Sequence, residues 1–179
     1  MVTALRDVFR AKGWDGASLS DLSRATGLSR AALYHHFPNG KADMAAAALD
    51  DVERRLGAEL FAPLAGEGAP EARFARWLDG IAAYYRNGDL GCLLGALSLG
   101  QDEHKLRPRV EDGFTRWIEA LARLADERGA APADARASAV AVVALIQGAL
   151  TLARATSSSA PFETALRAAP HILFGNRSA

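Results

Sequence analysis

The sequence has one cysteine, few aromatic residues and no excess of charge of either sign. Cys92 alone can form neither an intramolecular disulfide nor the thiol cluster of a metal site, so we expect no metal and no cofactor. Lysine plus arginine number 21 and aspartate plus glutamate number 21, so any nucleic-acid function must come from a local surface. With half of its residues apolar, the chain fits a globular protein of the reducing cytoplasm.

We also expect no secretory leader, since MVTALRDVFRAKG spaces polar residues among its apolar ones. One membrane-like stretch, residues 137–153, is rich in alanine, contains Gln147 and Gly148, and is slightly short of a span. We therefore expect a cytoplasmic protein with no membrane partner, in which this stretch is a helix buried on two sides.

Residues 18–41 contain two helix-start signals and one glycine turn. Ser18, with Asp21 three residues later, gives a capping-box start, and Gly27 ends that helix after barely two turns. Ser29 starts the next helix, which a proline stops. Two short helices joined by a tight glycine turn predict a helix-turn-helix, whose second helix fits the major groove of DNA.

The second of these helices has an outward face suited to DNA. With Leu33 and Phe37 turned inward, the helical period places an arginine, an alanine, a tyrosine and a histidine on the opposite side. Arginine can donate two bonds to guanine or phosphate, tyrosine and histidine donate single bonds to phosphate, and a lysine at a helix start adds an anion site. Packing alone would also explain a capped helical pair of this composition. The expected DNA-binding residues are Ser18, Ser29, Arg30, Ala31, Tyr34, His35, His36 and Lys41.

The remaining segments are all predicted to be helical. One helix runs over residues 41–61 until PLAGEGAP breaks it, and a second covers residues 71–86. A long amphipathic helix is expected over residues 108–129, with Pro108 at its first position. Residues 134–156 are apolar nearly all round, and residues 162–174 supply one more helix. Two such helices from each subunit would form a four-helix dimer interface.

Several side chains in these helices are candidates for a ligand pocket. Indole and phenol groups combine an apolar ring with a polar edge, which mostly apolar ligand sites use. Core packing explains the same spacing, and it is the expected role of Phe74 and Ile81. A buried small hydrophobe and a satisfied core amide are the corresponding alternatives for Cys92 and Gln147. The expected ligand-binding residues are Trp77, Tyr84, Tyr85, Cys92, Phe114, Trp117 and Gln147.

The segment from Leu5 to about Leu49 resembles the N-terminal domain of the TetR family of bacterial transcriptional repressors. FPNGK, with one residue more than the usual phenylalanine-x-x-lysine spacing, and the later GCLLGALSLG are similar to the LmrA/YxaF-like branch. The residues that meet the family pattern are Gly16, Ser18, Leu19, Leu22, Ala25, Gly27, Leu28, Ser29, Leu33, Tyr34, His36 and Phe37.

The resemblance implies an all-α homodimer. A three-helix helix-turn-helix DNA-binding domain would occupy residues 1–45, and a helical ligand-binding and dimerisation domain would occupy residues 46–179. Such a protein represses from a palindromic operator in double-stranded DNA and leaves it when a small apolar or aromatic effector enters. The usual basic extension before the first helix is almost absent, so either arm contacts to DNA are lost or the natural start lies upstream of Met1.

Two other classes of function stay open. A helical protein-interaction module without DNA binding would tolerate replacement of Arg30, Tyr34 and Lys41. A small helical enzyme is less favoured, because the sequence offers no catalytic residues: it has no convincing carboxylate pair, glycine-rich phosphate loop, HExxH or nucleophile motif.

Overall fold

A computed structural model describes residues 1–100 and 103–175. For residues 103–105 it describes the backbone alone. Within these ranges the chain is all-α and contains no strand, which confirms the predicted fold class. A π-helical turn at Gly57–Phe61 and a 3₁₀ turn at Arg86–Gly88 accompany the helices. The α-helices are α1 Val2–Gly16, α2 Leu19–Thr26, α3 Arg30–His36, α4 Lys41–Leu56, α5 Ala62–Ala65, α6 Pro70–Tyr84, α7 Leu93–Leu97, α8 Glu103–Glu127, α9 Pro132–Thr156 and α10 Ala160–Phe174.

The chain divides into two compact units. The first unit joins Met1–Arg55 to the described residues of Cys92–Gly113, and the second joins Leu56–Gly91 to the described residues from Phe114 onward. This division follows packing, so α7 and the start of α8 belong to the first unit although they are distant in sequence. The functional boundary between residues 45 and 46 stays a prediction.

Helices α1, α2 and α7 pack together in the first unit. Leu22 and Leu33 are completely buried, and Phe37 is nearly so, as the helical spacing predicts. The helical spacing also predicts that Leu19, Leu22 and Ala25 form the buried face of α2, but Ala25 is exposed and Leu19 is only half-buried. A helix of eight residues turns little more than twice, so one leucine carries most of its inward contact.

Three helix boundaries differ from the sequence prediction, each at a glycine or a proline. The apolar spacing of the first residues predicts a first helix that ends at Gly13, but α1 continues to Gly16 across a kink at Gly13. PLAGEGAP does not end the helical segment at once, because Pro63 lies in the first turn of α5, which continues to Ala65. Pro108 lies inside α8 and not at its first position, so the helix tolerates one lost backbone bond.

The second unit is built on the long pairing of α9 with α10, against which α6 also packs. Its aromatic core stacks Phe74 on Trp77, with ring centroids 5.4 Å apart. Trp77 in turn meets Trp117 edge-on at 5.8 Å. Both indoles are fully buried. The aromatic spacing of the sequence therefore gives a packed core, as the simpler interpretation of that spacing predicts.

Helix α9 is long and apolar enough to cross a membrane by length and composition, with a mean hydropathy of 1.6. A core helix passes the same test, so this is weak evidence for a span, and 39% of the apolar window is buried. Val140 and Leu152 are the two ends of a row of exposed residues spaced four apart on α9, and they remain 44% and 55% exposed. The second unit thus leaves an apolar face of α9 uncovered.

Replacing Leu22 with alanine should lower the free energy of unfolding by about 2–5 kcal/mol, because it opens a cavity beneath α2. Urea unfolding followed by circular dichroism measures the change. Leu99→Ala is the matched control, since Leu99 is 86% exposed, and it should cost less than about 1 kcal/mol. Equal losses for the two variants would contradict this packing.

Candidate nucleic-acid interface and effector pocket

Helix α2 begins at a capping box, as predicted. The Ser18 hydroxyl accepts a bond from the Asp21 backbone N–H at 3.1 Å, and the Asp21 carboxylate accepts from the Ser18 N–H at 3.2 Å. Lys12 of α1 reaches the same carboxylate at 2.7 Å. The cap therefore fixes the start of α2 and joins it to α1.

The Lys12 bond, followed by the bonds from the Ser18 hydroxyl and backbone, holds the pKa of Asp21 well below its usual range. Each of these donors favours the ionised carboxylate, and together they outweigh the opposing effect of desolvation. Asp21 is consequently charged at every pH at which the protein would bind DNA. The start of α2 keeps its cap over that whole range.

The turn between α2 and α3 is fixed by side chains that bond to the backbone. Gly27 ends α2 in the left-handed conformation. The Thr26 hydroxyl donates to the Leu22 carbonyl at 2.7 Å, and the Ser23 hydroxyl donates to the Leu28 carbonyl at 2.5 Å. These bonds set the angle at which α3 leaves the turn.

Ser29 caps α3, accepting a bond from the Ala32 N–H at 3.1 Å. Both predicted helix starts are therefore present, and the two capping hydroxyls already make backbone bonds. Whether Ser18 and Ser29 also contact DNA stays a prediction.

The outward face of α3 carries the side chains that the sequence predicts there. Arg30, Ala31, His35 and His36 are exposed, and Tyr34 is 47% exposed. None of the seven residues of α3 is acidic. This face thus presents donors with no carboxylate on the same helix, which suits a phosphate backbone.

Ser20 was missed by sequence analysis. Its hydroxyl accepts a bond from Arg30 Nη2 at 2.6 Å, which joins α2 to α3 and orients the guanidinium. The two residues are ten positions apart and lie on different helices, so neither capping rules nor helical spacing point to the pair. Arg30 is therefore held in place before any DNA is bound.

The FPNGK loop forms a seat for Tyr34. Gly40 has φ +67°, and a Cβ atom there would lie 3.0 Å from Tyr34 Cε1. Asn39 donates to the Asp43 carboxylate from its backbone N–H at 2.9 Å and from its side-chain amide at 3.2 Å. The backbone conformation of residue 40 favours glycine, and a side chain there would also crowd the tyrosine ring.

Lys41 has a structural role that its position at the start of α4 does not predict. Its Nζ donates to the Trp14 carbonyl at 2.7 Å and to the Ala17 carbonyl at 3.3 Å, and it lies 4.5 Å from the Trp14 ring centroid. An ammonium has three donors, so one remains for a phosphate. The DNA contact of Lys41 stays a prediction. The bond from Lys41 to the Trp14 carbonyl links α4 to α1.

The predicted ligand residues do not all come together. Trp77 and Trp117 are in contact, whereas Tyr84 lies edge-on to Tyr85 at 4.9 Å, and Tyr85 meets Phe162 at 6.2 Å. Cys92 is the N-cap residue of α7 and belongs to the first unit, whereas the other six residues of the set belong to the second.

Gln147 and Phe114 are both half-buried. The Gln147 side-chain nitrogen is buried without a hydrogen-bond partner, so the satisfied core amide of the simpler interpretation is not what the structure shows. The described residues contain no group of three or more potential metal ligands. Ligand binding by the seven predicted residues stays a prediction.

Arg73 is a second residue that sequence analysis missed. It is buried on α6, and its Nη1 donates to the carbonyls of Leu64 at 3.0 Å and Gly66 at 3.4 Å, while Nη2 pairs with Glu127. A cavity of about 490 Å³ opens beside it. The sequence could have indicated this residue, because it is an arginine four residues before Trp77 and therefore lies on the apolar face of a helix.

Two family models match the chain. Residues 2–48 match the model of bacterial regulatory proteins of the tetR family. Residues 70–168 match the model of the C-terminal domain of LmrA/YxaF-like transcriptional regulators. The first match covers the capped helices and the outward face of α3, and the second covers Arg73 and the aromatic core.

Individual proteins agree with these models. An uncharacterised HTH-type transcriptional regulator of Mycobacterium tuberculosis is 26% identical over 97% of this chain and 92% of its own length. A TetR transcriptional regulator from Chloroflexus aurantiacus superimposes with a TM-score of 0.78 at 26% identity, covering 96% of this chain and 91% of that one. The regulator CifR, solved with a 26-base-pair operator DNA, has a TM-score of 0.76 at 22% identity, covering 96% and 94%.

The Asp21 cap makes a pH-dependent prediction. Because folding lowers the pKa of Asp21, its stabilisation is complete above the pKa of the unfolded chain and is lost as pH falls from there through the folded pKa. Asp21→Asn should therefore lower the melting temperature at pH 7, and the gap to the unsubstituted protein should shrink at pH 3. Asp126→Asn, at an exposed site on α8, is the control. A gap that stays constant between the two pH values would refute the assignment.

Proposed function

Because the chain belongs to the TetR family of bacterial regulatory proteins, with an LmrA/YxaF-like C-terminal domain, we propose that it is a homodimeric repressor released from a palindromic operator by a small apolar or aromatic molecule. Membership makes the protein a DNA-binding transcriptional regulator. We propose in addition that it represses, that its operator is palindromic, that it acts as a dimer and that an effector releases it. The observation that carries operator recognition is the exposed face of α3, a helix without acidic residues that is fixed at its start by Ser29 and across the turn by Ser20.

Arg30 is the proposed base contact of this face. Its guanidinium is already oriented by Ser20, so binding DNA costs it less side-chain entropy, and the short Ala31 beside it allows α3 to approach the bases. Tyr34, His35, His36 and the third donor of Lys41 are assigned to phosphate oxygens. Phosphate contacts would set the position of the helix, and Arg30 would supply sequence preference.

The uncovered face of α9 is the proposed dimer surface. Its exposed residues recur every fourth position from Val140 to Leu152, and it borders an apolar groove shared with α10. Gly148, on this face, has no atom within 4 Å of where a Cβ would lie, so a second helix can come close. A symmetric pair of these faces would form the predicted four-helix interface and place two recognition helices on one operator.

Arg109 is the proposed link through which an effector would act on α4. Its guanidinium bonds the Ala46 carbonyl at 3.1 Å, Asp50 at 2.5 Å and Glu53 at 3.1 Å, all on α4. The same helix, α8, contributes Arg109 to the first unit and Trp117 to the second. An effector that displaces α8 would therefore pull on α4 and shift the dimer from its operator-binding state.

The other two functional classes are weaker. The relatives are transcriptional regulators, which supports a protein that is not an enzyme, works in the cytoplasm and uses no cofactor. An interaction module without DNA binding would not need the bond between Ser20 and Arg30, nor a seat for an exposed tyrosine. These features favour the regulator.

Titration against the DNA upstream of its own gene tests this function. We expect two subunits per site, resistance to excess non-specific DNA, and affinity that falls by about 10³-fold or more between 50 and 200 mM salt if six or more phosphates are contacted. Binding equally well to unrelated DNA would contradict a specific operator. Unchanged operator affinity across a broad panel of lipophilic ligands would contradict release by an effector.

Variants of α3 and its neighbours separate base contact from phosphate contact. Arg30→Ala should cost about 1–3 kcal/mol of operator binding and relax the preference at one base pair, and Ser20→Ala should act in the same direction but less. Lys41→Ala should weaken all sequences alike and reduce the salt dependence by about one phosphate.

Arg76→Ala serves as the control for these variants, because Arg76 is an exposed arginine on α6, a helix that is part of neither the proposed DNA contact nor the proposed dimer surface. Gel-shift assays on operator and scrambled DNA measure all four proteins. If Arg30→Ala and Lys41→Ala bind like Arg76→Ala, the interaction module becomes the better explanation.

A further inference from the structure

Three buried N–H groups lie in one neighbourhood of the second unit without a hydrogen-bond partner: Arg73 Nε, Trp77 Nε1 and Trp117 Nε1. Arg73 and Trp77 share one face of α6, four residues apart, and the rings of Trp77 and Trp117 meet edge-on. Buried polar groups are nearly always paired, and these three can only donate. These three N–H groups therefore lack acceptor atoms.

Arg73 already holds one carboxylate, that of Glu127. The Arg73 side chain is 8% exposed, whereas the Glu127 side chain is 48% exposed, so the acid sits at the outer edge of a buried guanidinium. Glu127 is also the last residue of α8, where the helix dipole disfavours a negative charge. Glu127 shows that Arg73 binds a carboxylate. Because Glu127 is half-exposed at the end of α8, another carboxylate can replace it.

The cavity beside this pair has room for an aromatic ligand. Its volume is about 490 Å³, within the usual range of small-molecule sites, and Phe61 and Leu124 are among its apolar walls. Phe61 belongs to the π-helical turn, a feature frequent at functional sites, and its ring meets Trp117 at 6.1 Å. Three arginines and two glutamates supply the charged part of the lining. They are Arg73, Arg116, Arg123, Glu119 and Glu127.

From this geometry we propose that the second unit binds an aromatic carboxylate, whose acid group replaces Glu127 at Arg73 and whose ring lies against Phe61. A carboxylate has two oxygens that only accept, and together they would serve Nη2 and the unpaired Nε of one guanidinium. A neutral hydrocarbon would leave Nε unpaired. The inference rests on the proposed function, because it gives the effector of that function its chemical class.

The test compares matched probes on the full chain without DNA. Benzoate, 2-naphthoate and 4-phenylbenzoate each have an amide of nearly the same shape, so each pair differs mainly in charge. Isothermal titration calorimetry should show at least one acid binding about tenfold or more tightly than its amide, as expected for a charge-assisted bond.

Two variants locate the site. Glu127→Gln removes the competing carboxylate and leaves the backbone bonds of Arg73 in place, so it should tighten binding of the preferred acid by several-fold and leave its amide unchanged. Arg73→Gln should abolish the preference for the acid. If Arg73→Gln fails to fold, the gain of affinity in Glu127→Gln still decides, because an unfolded protein cannot bind more tightly.

Arg128→Gln is the matched control, since Arg128 pairs with Glu71 on the surface and does not line the cavity. It should leave the preference for the acid intact. Equal affinity for all three acids and their amides, no binding of any acid at about 1 mM, or no gain in Glu127→Gln would overturn the inference.

Operator binding is measured separately, so the two ideas fail differently. A protein that binds its operator but shows no preference for the acids is a regulator with another effector. A protein that prefers the acids through Arg73 but binds no operator keeps the carboxylate site and loses the proposed function.

Discussion

Helices of eight and seven residues, such as α2 and α3, are too short to be stable alone in water, and the DNA-facing surface depends on overcoming that limit. Side-chain hydroxyls solve part of the problem by pairing the free N–H groups at each helix start. Burial of Leu22 and Leu33 solves the rest. The same bonds that make these helices stable also fix their angle, so stability and recognition geometry come from one set of contacts.

Several ion pairs in the first unit join one helix to another. Asp21 pairs with Lys12, Asp51 with Arg6, and Asp50 of α4 with Arg109 of α8. The acidic residues of these pairs lie on helices other than α3. The outward face of α3 holds only donors and small residues. A chain with no net charge can in this way still present a surface suited to phosphate.

The second unit contains buried N–H donors that have no acceptor. Its aromatic core buries indole N–H groups without acceptors, and its buried arginine is paired with a half-exposed glutamate. A core selected only for stability would leave few such donors unpaired, because each costs free energy. The unpaired Nε of Arg73, a residue that lines a cavity, is what a site for an acceptor-bearing ligand requires before the ligand arrives, and this is the strongest reason to place the proposed effector near Arg73.

The sequence by itself determined the helices, both caps of the helix-turn-helix and the outward side of α3, because capping and helical period act over three or four residues. Tertiary structure decided the partners of Arg30, Lys41 and Arg73, which lie ten, 27 and 54 positions away in Ser20, Trp14 and Glu127. It also placed Cys92 in a different unit from the other predicted ligand residues. Such contacts depend on how helices pack, and no local spacing encodes that arrangement.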